Sequence, residues 1–145
     1  MGGCSLSARR PQGGPRAATA QGPGVTEPVR TAALLMALAL ACYSTGVWAE
    51  RIIRRLRPWH LAMFWLGFAC DTAGTDRMRR LVGGMRLTFH GVTGLLALGL
   101  MLGHALWATA VLLRRDERAQ RTFHRISVGV WCVWLVPYLS GMLLA

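Results

Sequence analysis

The side chains here that can do chemistry are four histidines and one aspartate set in or beside long uncharged runs: His60, His90, His104, His124 and Asp71. Ionisable groups are costly in an apolar span, so each is a candidate functional residue. His90 and His104 lie 14 residues apart, which on a helix means roughly 21 Å of rise and about 40° of rotation. They share nearly one face. Imidazoles stacked in that way could each ligate a separate haem b, or could be stations on a proton path. The glycines Gly91, Gly94 and Gly103 beside them remove bulk where a flat macrocycle would approach the backbone.

His60, in Arg57-Pro58-Trp59-His60, and His124, in Phe123-His124-Arg125, sit where loops meet spans at one membrane face. As a pair they could clamp one haem in the bis-imidazole manner; singly, each reads as an interfacial side chain. His104 lies ten residues before Arg114, hence about 15 Å below that face and a poor partner for either. A two-haem pattern would then need a parallel homodimer joined along the third helix. Asp71 falls near the end of the second span, where it should have a partner: His90, whose ring it would orient, or Arg77, Arg80 or water.

The elements that position these residues are legible in the charge pattern. Of 145 residues, 53% are hydrophobic and 16% charged, and the net charge of +11 comes from 17 arginines, with no lysine, against 6 acids. The arginines cluster between uncharged runs, which suits contact with lipid headgroups and argues against nucleic acid. Runs of 19, 27 and 20 uncharged residues cover 31–49, 87–113 and 126–145, close to the ~20 residues that cross a bilayer. A shorter run, 58–75, is interrupted by Asp71 and opens on Pro58, which a helix tolerates in its first turn. The expectation is an all-α, integral membrane four-helix bundle in a cell membrane, with the lipid bilayer as its first partner. Residues 1–30, rich in Gly, Pro and Arg, read as a disordered tail. Its basic start lacks the apolar core of a signal peptide, so the first span reads as a retained anchor.

Arginines near span ends number nine on the side of the first and third loops and five or six opposite, which places both termini outside. Pro137 should bend the fourth helix. Phe64 and Trp65 could line a pocket or fill the core. Cys4, Cys42, Cys70 and Cys132 form no Cys-x-x-Cys pair, which excludes thioether-bound haem and a zinc ribbon. No nucleotide-binding loop or serine nucleophile elbow is present, so no hydrolytic catalysis is expected.

The strings Arg57-Pro58-Trp59-His60-Leu61 with Phe64-Trp65-Leu66-Gly67-Phe68, Asp71-Thr72-x-Gly74-Thr75, His90-Gly91-x-Thr93-Gly94, His104-Ala105-x-Trp107-Ala108 and Phe123-His124-Arg125 resemble the HsmA family of small four-span membrane proteins. The likeness covers about residues 31–145. It implies a haem-handling role in defence against haem and oxidative stress, and carries over no ligand assignment. Three functions stand as expectations: haem sequestration or electron transfer through His104 and His90, or His60 and His124; a non-haem accessory or transport protein in which His and Asp relay protons or hold helices together; and a quinone-linked subunit working with a redox partner.

Overall fold

The computed structural model describes residues 23–84, 88–115 and 117–144, and among them there are four helices and no strand. They are α1 (Pro23–Ile53), α2 (Pro58–Leu81), α3 (Phe89–Arg114) and α4 (Glu117–Leu144). Three of them, α1, α3 and α4, are long and apolar enough to cross a membrane by length and composition. The second helix does not join them: its 58–75 stretch holds a single charge, Asp71, but Trp59, His60, Asp71 and several Gly and Thr leave it too polar on average.

Local chemistry sets the helix ends. At the start of α2, Arg57 is extended, Pro58 takes the first helical position, and His60 Nδ1 accepts the Arg57 N–H at 3.1 Å. This is the reciprocal half of a capping box, with imidazole in place of a carboxylate. Thr88 caps α3, its hydroxyl accepting the Gly91 N–H at 3.2 Å. Behind α2 the chain turns through Gly83 and Gly84, both at positive φ, where a Cβ would be strained.

Two boundaries depart from the charge-based reading. The first helix begins at Pro23 and not near Thr31, so 23–30 are helical: Arg30 pairs with Glu27 at 3.2 Å and the Thr31 hydroxyl donates to the Glu27 carbonyl. Residues 1–22 of the expected tail lie outside the described residues. The fourth helix begins at Glu117, nine residues before Ile126; charged side chains do not stop a helix, and Glu117 suits the positive end of its dipole. Pro137 lies inside α4, which continues to Leu144, and the Ser140 hydroxyl donates to the Pro137 carbonyl at 3.0 Å.

The helices form an up-down ring in which α1 packs on α2 and α4, and α3 on α2 and α4. The tightest seam is α1–α2. Met36 lies over Gly74, Tyr43 over Gly67 and Phe64 over Gly46, so close that a Cβ on each of these glycines would stand 2.7–2.9 Å from the facing side chain. Each step forward along α1 is matched by an equal step back along α2. The contact residues repeat at steps of seven and three, the heptad spacing of a left-handed antiparallel pair.

Candidate functional site

Continuing that register one turn past Gly46 on α1 and one turn before Phe64 on α2 brings Glu50 level with His60 on the packed face. Both are completely buried. Neither carboxylate oxygen of Glu50 is hydrogen-bonded to a described residue, and neither is Nε2 of His60. Because His60 Nδ1 accepts the Arg57 N–H, the neutral ring carries its proton on Nε2. A donor and an acceptor, both without partners, therefore stand at the same level of one seam.

One turn deeper, His104 of α3 packs into the same half of the bundle. Its ring stacks on Phe123 of α4 at 5.0 Å and 16°, and meets the edge of Phe64 at 5.0 Å. Its Nε2 lies 3.1 Å from the Ser127 hydroxyl, while Nδ1 is buried without a partner. The other half of the bundle is fully bonded. Asp71 Oδ2 accepts the Trp134 indole N–H from α4 at 2.9 Å and the Tyr43 hydroxyl from α1 at 3.5 Å, and Tyr43 packs edge-on to Trp134. One carboxylate thus ties three helices. Further indole bonds clip the remaining neighbours, Trp65 to Thr109 between α2 and α3 and Trp131 to Ser44 between α1 and α4.

Several expectations are corrected. Asp71 is only 3% exposed, so water does not satisfy it, and its partners are Tyr43 and Trp134 instead of His90, Arg77 or Arg80. The arginines beyond it serve Asp76, which accepts from Arg79 and Arg80 at 2.7 Å; those bonds hold its carboxyl below the usual carboxylate range. His90 and His104 do face a common neighbour, α4, but His90 is exposed, with Nδ1 3.3 Å from the Ser140 hydroxyl. His104 points into its own bundle, so two chains joined along α3 would not bring their His104 rings together. His124 is half-buried, its Nδ1 3.3 Å from the Gln120 carbonyl, and it lines a surface cleft while His60 faces the seam. Gly94 and Gly103 face open space; the close approaches belong to Gly46, Gly67, Gly74 and, against the His90 ring, Gly141. Phe64 is fully buried in the core. Among the described residues Cys42, Cys70 and Cys132 are free thiols, and no three His, Cys, Asp or Glu side chains converge on a metal position.

A haem ligated by His60 or His104 does not fit this packing. His60 presents a proton where a ligand lone pair is needed, and His104 is enclosed by Phe64, Phe123 and Ser127.

Glu50 escaped the sequence reading because it bounds the first uncharged run and so looks like a surface residue. A signal was available. Ala32, Met36, Ala39, Tyr43, Gly46 and Glu50 repeat at alternating four and three residues, as do His60, Phe64, Gly67, Asp71 and Gly74, which marks Glu50 as a seam residue. The fold and the site define an all-α four-helix bundle with polar groups in its interior. No family model, curated protein or solved structure matches the chain.

Proposed function

We propose that this chain is a multi-pass membrane protein of the accessory or transport kind that handles protons through buried ionisable side chains, with Glu50 and His60 as the entry station. The observation that carries this reading is the complete burial of Glu50 with both oxygens unbonded, level with the Nε2–H of His60. A carboxylate kept out of water without a partner is expensive, and a proton is the smallest species that relieves the cost. His104 with Ser127 is the next station inward, then Asp71 with Tyr43 and Trp134, then His90 with Ser140. Successive stations on α4, at Ser127, Trp134 and Ser140, are about 10 Å apart along its axis. Apolar packing separates them, so passage requires helix movement, as in a gated carrier. The excess of arginine beside Glu50 and His60 favours a cytoplasmic location for that end.

The test is proton uptake into liposomes holding the purified full chain, driven by a potassium diffusion potential. Uptake that is lost in Glu50→Gln, with the variant still folded and monodisperse, supports the reading; uptake indifferent to both Glu50→Gln and His60→Ala overturns it.

Haem binding is the second reading. It rests on the resemblance to the HsmA family and on the unbonded Nδ1 of His104, and it requires the helices to part. An optical spectrum after haem supplementation tests it: low-spin bands weakened by His104→Ala support it, and a featureless spectrum removes it.

A further inference from the structure

At the end of the bundle that carries Glu50 and His60, α1 and α4 leave an open cleft of about 600 Å³ lined by Arg54, Arg121, Thr122, His124 and Arg125. Among the described residues no acidic side chain lines it. None of its three guanidinium groups is paired with a described acid. A second cleft, at the opposite end, makes the contrast: it is lined by Pro28, Asp76, Arg77, Arg80 and Leu81, and there Asp76 already holds Arg80. Of these two clefts, the first collects cations with no anion among the described residues.

Arg54 follows the last residue of α1 with φ of +54°, and its N–H donates to the Glu50 carbonyl at 2.8 Å, the left-handed helix stop that favours glycine. The bundle uses glycine at positive φ behind α2, at Gly83 and Gly84. At the α1 stop it carries an arginine in a strained conformation, as the α3 stop does at Arg115, and of these two Arg54 lines the cleft. Arg121 and Arg125, one turn apart on α4, supply the facing wall. Guanidinium forks match the paired oxygens of a phosphate group.

We propose that this cleft binds a phosphate group, with an anionic phospholipid headgroup at the bilayer surface as its main source. The proposal is independent of proton handling at Glu50. Three fixed positive charges favour a phosphomonoester over a zwitterionic headgroup, whose ammonium group they repel.

The experiment uses the full chain in detergent, with short-chain phosphatidic acid, short-chain phosphatidylcholine and inorganic phosphate as separate probes, binding being read by native mass spectrometry and by thermal shift. Phosphatidic acid should bind and phosphatidylcholine should not. Replacing Arg54 and Arg121 by Gln should weaken phosphatidic acid binding about thirtyfold, on the basis of roughly one charge contribution per arginine near a headgroup, while R77Q in the opposite cleft should leave it unchanged. Inorganic phosphate that competes with the lipid at millimolar concentration supports the same site and identifies free phosphate as a further source. Arg54→Gly separates recognition from architecture: it should raise thermal stability and lower lipid affinity together. Equal binding of both lipids, or an unchanged affinity in the double Gln variant with helix content intact, overturns the proposal.

Discussion

The two halves of this bundle bury the same kind of group under opposite terms. Asp71 enters the core with two donors waiting, one from α1 and one from α4, and becomes the knot that holds three helices. Glu50 enters it bonded to no described residue, level with a histidine whose Nε2–H is equally unbonded. Backbone geometry does not explain the contrast, since both carboxylates lie on the same α1–α2 seam with the same register. What differs is the supply of donors: the Asp71 half is rich in Tyr43 and Trp134, whereas the Glu50 half is walled by Phe64, Phe123 and the His104 ring. A bonded buried carboxylate is architecture. An unbonded one is a standing cost that persists where something else selects for it.

The seam common to both halves should give the largest effect. Gly67→Leu would drive a Cβ to 2.7 Å from the Tyr43 ring and should destabilise the chain by about 3 kcal/mol or more in a denaturant titration in micelles. Gly103→Ala, facing open space, should instead gain up to about 1 kcal/mol. Next comes the bonded half: Asp71→Ala strands the Trp134 indole and the Tyr43 hydroxyl and should cost about 2 kcal/mol in the same titration. The unbonded half sharpens the comparison, because Glu50→Leu should be neutral or stabilising by about 1–2 kcal/mol. A loss as large as that of Asp71→Ala would mean that the halves do not differ as described.

Smaller effects come from the surface. Arg54→Gly releases a left-handed arginine and should gain roughly 0.5–1 kcal/mol in thermal unfolding. Asp76, held charged by Arg79 and Arg80, has a carboxyl pKa below its unfolded value. Its contribution to stability is therefore present above the unfolded pKa and fades as the pH falls through the lower folded value. The group is exposed and the effect small; Asp76→Asn should flatten the acid limb of the stability profile slightly, measurable as a narrower difference in melting temperature between pH 5 and pH 3.

How far the sequence could be read depended on what kind of information each feature needs. The third helix emerges within two residues at its start and one at its end, because an uncharged run of 27 residues bounded by arginines is nearly a description of it. The first and fourth begin eight and nine residues before their apolar runs. Charge marks where a helix leaves an apolar environment, whereas helix propensity and capping decide where it starts. The 14-residue spacing of His90 and His104 predicts one shared helix face, and both rings do meet hydroxyls of α4, but only His104 is buried. Asp71 was identified as a residue that needs a partner, but the wrong partners were expected, since depth arithmetic along one chain does not reveal which indole reaches across from the diagonal helix.

Residue order by itself determined the helical class, the number of helices, the arginine-rich ends and the enclosure of polar groups in apolar runs, because each follows from local periodicity and the cost of stranding charge in an apolar environment. Tertiary structure alone decided which of those groups are satisfied. Whether a carboxylate finds a donor depends on the register of two helices and on the side chains a third and fourth helix bring to the same level, and that is a property of their meeting.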